Sequence, residues 1–205
     1  MDAIGNLIGR VPLLLRYVLA ALMLCGLILA TVVQRAGILR SGQEVRLEVV
    51  PVDPRDLFRG DYVVLDYRIG TVDMPPGATT AFTRGQKVFV TLHPDGDGSS
   101  KSKAVAISPE RPAESGADIV ISGVVFSPSV CPWSEAGTRD CKAGYRAVAV
   151  RYGLESYFVP QGEGKKIELT AKARLEVVAA VAPSGQAAIK RLLIDGRPVY
   201  DEPPY

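Results

Sequence analysis

Between Asp53 and Asp61 the chain sets three carboxylates, Asp53, Asp56 and Asp61, among two guanidiniums, Arg55 and Arg59. Such a set could hold a hard cation on its oxygens or clamp an anion on its arginines. It could also pair within itself, because a guanidinium's planar fork holds carboxylates two-handedly. The interleaved arginines repel a cation and favour the last reading, an ion-paired corner. Gly60 gives that corner a backbone angle that other residues resist. Tyr62, Leu65 and Tyr67 follow at once. The two tyrosines stand an odd number of residues apart, so a regular strand points them to opposite faces. One then packs inward with its hydroxyl bonded, and the other is free for a contact.

A second cluster lies far downstream, Arg151, Glu155, Tyr157 and Phe158. It either lines a groove with the first or forms a strand end with local pairing. Cys131 and Cys141 bracket a short polar loop carrying Trp133. Their spacing predicts a local disulfide, which would place the domain in an oxidising compartment. An aromatic on a stapled loop is either a contact anchor or packed onto the domain.

Other chemistry finds little support. His93 is the only histidine, so a His-rich metal site is excluded and a Ser-His-Asp triad would rest on it alone. Gly96 and Gly98 lie in an acidic stretch that would repel phosphate. No metal and no cofactor is expected. The formal net charge is +2, but four arginines precede Ser41, and the remainder is near neutral. A basic stripe for nucleic acid is therefore missing. An enzyme reading rests on Ser41 just past an apolar segment and on Lys87 as its base, a serine/lysine hydrolase similar to signal peptidases. The Met and Pro expected after such a serine are absent, as is the lysine's Lys-Arg pair.

The elements that must position these residues begin with an apolar run. Residues 17–33 carry no charge. If Arg16 snorkels, the run reaches back to Val11 and gives about 35 Å of helix, enough to cross a bilayer. A signal-peptidase cut needs small residues at two spaced positions. Ala30 has Ile28 before it and Ala36 has Gln34, so neither offers a clean site. Cys25 follows Leu24, which argues against a lipid-modified anchor. The expectation is an uncleaved, single-pass signal anchor. Arg10 and Arg16 on one side balance Arg35 and Arg40 on the other, so the positive-inside comparison is a tie.

After a short juxtamembrane link, alternation of apolar and polar residues predicts strands at 45–49, 62–69, 87–93, 104–107, 119–126 and 145–152. A short extended piece follows at 155–159, and 165–172 carries a helical face of one or two turns. Residues 175–182 and 186–194 flank Pro183-Ser184-Gly185 as a hairpin. Asp195-Gly196 is a further turn, and the tail 201–205 is expected to be loose. The fold class is mainly β, a β-rich α+β arrangement. Residues 1–41 form a cytoplasmic stub, anchor and link, and 42–205 form one exported antiparallel domain with a short helix.

The run Gly60-Asp61-Tyr62-Val63-Val64-Leu65-Asp66-Tyr67 fits Gly-Asp-Tyr-x-x-Leu-x-Tyr. It resembles the signature of the bacterial membrane-anchored GDYXXLXY family. Val52 to Arg59 agrees as well, and Arg151 to Gly162 resembles the family's second block, with Gln161 where an acid is expected. The hairpin ending Leu192 to Pro198 is also similar. The resemblance implies a membrane anchor, a domain outside the cytoplasm and a polytopic membrane protein as partner. It brings no activity, cofactor or catalytic residue. The functional expectation is an accessory protein of the inner membrane, its periplasmic domain binding through both motif segments. The alternatives are the Ser41/Lys87 hydrolase and a glycan- or peptide-binding module.

Overall fold

Leu13–Ser41 forms one uninterrupted helix, α1. The computed structural model describes residues 12–50, 62–74, 81–95, 101–132, 141, 146–158 and 175–201, with the backbone alone at 62–64, 157–158 and 199–201. The helix is about 43 Å long at 1.5 Å per residue, and its best window has a mean hydropathy of 2.4. It is therefore long and apolar enough to cross a membrane, whose hydrocarbon core is about 30 Å thick. The expected link at 34–41 is helical instead. That stretch holds no proline, and Ile38 and Leu39 find an apolar surface that rewards helical spacing. Residues through Gly37 form one compact unit, and Ile38–Pro204 form the other.

Among the described residues of the second unit, twelve strands follow: β1 Gln43–Val50, β2 Tyr62–Val64, β3 Asp66–Tyr67, β4 Thr71–Met74, β5 Lys87–Pro94, β6 Ser102–Ser108, β7 Ile119–Val130, β8 Arg146–Arg151, β9 Ser156–Phe158, β10 Leu175–Val181, β11 Ala187–Ile194 and β12 Arg197–Asp201. One five-stranded sheet has the order β12-β11-β10-β1-β3 and the other β4-β8-β7-β5-β6, while β2 pairs with β9. The named strands pair antiparallel throughout.

Alternation explains the core. Val45, Leu47 and Val49 of β1 point in, with Val88, Val90 and Leu92 of β5 and Val177, Ala179 and Val181 of β10, so one cluster draws on both sheets. From Val177 to Val181 β10 is buried on both faces, which is why that stretch is an unbroken apolar run. Its outward Ala180 joins Ala188 against Ile38 and Leu39. Alanine on the sheet lets the helix end come close, and burying each of the two larger side chains contributes about 1.5–3 kcal/mol. Cys131 and Cys141 are joined as a disulfide, with a Cα–Cα distance of 4.8 Å.

Several expected elements are redrawn. Residues 62–69 do not form one strand. β2 pairs with β9, β3 pairs with β1, and the chain changes partner at Leu65. A 3₁₀ turn at Arg68–Gly70 then leads into β4, which pairs with β8. The odd-number argument for Tyr62 and Tyr67 therefore fails, because it needs an unbroken strand. A strand that was not expected follows the last turn, and of the tail only Asp201 lies within the described residues. After the Asp195-Gly196 turn, β12 pairs with β11 as far as Asp201. The expected helical turn at 165–172 and Trp133 lie outside the described residues.

Candidate functional site

The two motif segments meet. Tyr62, Val63 and Val64 pair with Phe158, Tyr157 and Ser156. At the chain's change of partner, the Leu65 N–H donates to the Glu155 carbonyl at 2.9 Å. The Tyr67 hydroxyl donates to the Leu154 carbonyl at 2.7 Å, and the Tyr152 hydroxyl donates to the Ile69 carbonyl at 2.6 Å. Each segment thus supplies a tyrosine to a buried carbonyl of the other. Burial, and then the charge of Glu155, raises the Tyr152 phenol well above its usual range. Both hydroxyls are structural donors.

Glu155 fixes the second segment. Its carboxylate accepts the Tyr152 N–H at 2.6 Å and the Gly153 N–H at 3.0 Å. The turn requires Gly153, whose φ is +77°. Glu155→Gln is expected to lower stability by about 1–2 kcal/mol and Glu155→Ala by about 2–3, because the charged acceptor is weakened and then removed. Urea denaturation followed by circular dichroism checks this. An unchanged midpoint in Glu155→Ala would show that the turn needs no such clamp.

The sequence-expected residues therefore separate. Leu65 and Tyr67 are each 1% exposed, so they hold the corner and do not face a partner. Glu155 closes a turn, and Arg151 is exposed on the rim. For Tyr62, Tyr157 and Phe158 the backbone places the residues in the β2–β9 ladder. Asp53, Arg55, Asp56, Arg59, Gly60 and Asp61, the charged turn itself, lie outside the described residues.

Beside the corner is a cleft of about 220 Å³, bounded by Asp66 and Thr71 on one side and by Phe126, Arg151 and Glu155 on the other. Phe126 reaches it through a bulge. Val125 pairs with Val150 and Ser127 with Ala149, so Phe126 is an extra residue on β7. The ring is 40% exposed. The Arg151 guanidinium lies 3.8 Å from its centroid and that of Arg84 lies 5.1 Å away. Neither guanidinium has a carboxylate or hydrogen-bond partner among the described residues. Asp66 accepts the Tyr67 N–H at 3.0 Å. Thr71 also lines a neighbouring cavity of about 200 Å³ with Asp73, whose carboxyl burial holds above its usual range.

Sequence reasoning missed Phe126, Arg84, Asp66 and Thr71. One signal was present for the first: Pro128 cannot sit in a regular ladder and marks an irregular strand. Ser41 ends α1, and Lys87 stands 5.3 Å from the Phe89 ring centroid. Neither lines the cleft. His93 faces Asp118 at 2.5 Å. Among the described residues, no group of three or more His, Cys, Asp or Glu side chains could hold a metal ion. The arrangement suits recognition, with an aromatic platform, two open guanidiniums and a cleft of mixed polarity.

A family model described as GDYXXLXY protein matches residues 24–192. Among curated proteins and solved structures, nothing matches.

Proposed function

The chain belongs to the GDYXXLXY family, whose model spans most of its length, and from that premise we propose a membrane-anchored accessory protein of the bacterial cell envelope. α1 crosses the inner membrane once, and the β-rich domain stands on the periplasmic side. There it binds a polytopic membrane protein. The disulfide supports the sidedness, because such bonds persist in oxidising compartments. The observation that carries the binding role is the division of labour at the corner. Tyr67 of one motif segment and Tyr152 of the other turn their hydroxyls inward to build a rigid frame. That frame stands beside a rim of exposed Phe126 and open guanidiniums, which is the composition of a contact hot spot.

Crosslinking in intact cells, followed by detergent extraction and affinity purification, tests the reading. The wild-type chain is expected to capture one polytopic membrane protein. Phe126→Ala combined with Arg151→Glu is expected to reduce recovery about tenfold, with unchanged circular dichroism. Capture of no membrane protein, or equal recovery with both chains, overturns it.

A further inference from the structure

Lys87, Val124 and Arg151 stand side by side across three neighbouring strands, β5, β7 and β8. All three are exposed, Val124 by 45%. Phe126 and Arg84 continue the patch. Cations therefore alternate with apolar side chains on one open sheet face. Arg84, Lys87 and Arg151 make no ion pair among the described residues, although ion pairs are common elsewhere on the domain, as between Lys190 and Glu44 or Arg68 and Glu48. At the patch's edge, Thr71 lines the cleft at 9% exposure with its hydroxyl unbonded among the described residues. A buried hydroxyl without a partner is costly and suits an incoming polar group.

We propose that this face takes an extended acidic segment of the partner, in which carboxylates alternate with apolar side chains. The inference rests on the accessory reading above and names the chemistry of its contact. Charge complementarity selects the occupant. Neighbouring strands lie about 4.8 Å apart, so the cations are spread over a distance that one small anion does not span. A guanidinium over an aromatic ring keeps its N–H edge open for a carboxylate. A flat phosphate layer fits less well, because it offers no apolar partner to Val124 and Phe126, which stand exposed among the cations.

The test uses the full chain in neutral detergent micelles and a fluorescent peptide, Glu-Val-Glu-Val-Glu-Val-Glu, with its Gln and Lys counterparts. Anisotropy is expected to show binding of the Glu peptide alone, weakened by added salt. Arg84→Glu with Arg151→Glu should weaken it about tenfold or more. Arg151→Lys, which keeps the charge and loses the fork, should weaken it less. Equal binding of the Glu and Gln peptides, or of the Glu peptide to wild type and double variant, overturns the proposal. So does binding of short-chain phosphatidylglycerol in place of the peptide, which would assign the patch to a lipid surface. A double variant that melts at lower temperature than wild type also overturns it, since the arginines would then serve the fold. Partner capture that survives the double variant would sink the acidic contact and leave the accessory reading standing.

Discussion

Tyr67→Phe is expected to lower the unfolding free energy of the β domain by about 1–3 kcal/mol, and Tyr67→Ala by about 3–5. Tyr67 is among the largest fully buried side chains, and its hydroxyl donates to the Leu154 carbonyl in an equally buried place. Removing the hydroxyl alone leaves that carbonyl without a donor and without water. Removing the ring adds a cavity between β1, β3 and the Leu154 segment. Tyr152→Phe should behave like Tyr67→Phe, because it strips the reciprocal bond to Ile69. The two substitutions act on one junction and should couple by about 0.5 kcal/mol or more. Urea denaturation of the four chains measures this, with far-ultraviolet circular dichroism as the signal. If Tyr67→Phe stays within about 0.5 kcal/mol of wild type, the range of an ordinary surface change, the hydroxyl bonds do not hold the corner.

Much of the sheet framework was readable from residues 43–50, 87–94 and 175–194, where alternation or a continuous apolar run answers directly to burial. The corner was readable only in part. The sequence marked both of its segments, and an inward tyrosine with a bonded hydroxyl was expected. Its acceptor could not be seen, because Tyr67 and Leu154 are joined by a tertiary contact that leaves no local pattern. The change of partner at Leu65 was hidden for a related reason. Leu65, Tyr67 and Ile69 stay buried in alternation through β3 and the 3₁₀ turn, so the period survives while the strand does not. Phe126 escaped because a bulge is a mismatch between two strands, and only the pairing of β7 with β8 reveals it. α1 ran on to Ser41 because Ile38 and Leu39 meet Ala180 and Ala188, a contact decided more than a hundred residues downstream.

Gly123→Ala is expected to destabilise the domain by about 1–3 kcal/mol, although alanine normally suits a strand better than glycine. A Cβ at Gly123 would stand 2.5 Å from Val150 Cγ1, 2.9 Å from the Arg151 carbonyl oxygen and 3.0 Å from Tyr152 Cδ1. The first neighbour is a side chain that can give. The second is backbone in the β7–β8 ladder, and the third belongs to a ring tethered through its hydroxyl to Ile69. Relief must therefore move Arg151 or Tyr152, the residues that carry the rim and the frame. Val150→Ala in the Gly123→Ala background removes the closest contact and should recover part of the loss, whereas Val150→Ala alone should destabilise. The same displacement is expected to weaken binding of the Glu peptide, because Arg151 would lose its seat over Phe126. A stabilised Gly123→Ala chain would show that β7 and β8 can separate at this point without cost. In that case the frame is looser than its hydrogen bonds imply, and the rim would need another source of rigidity.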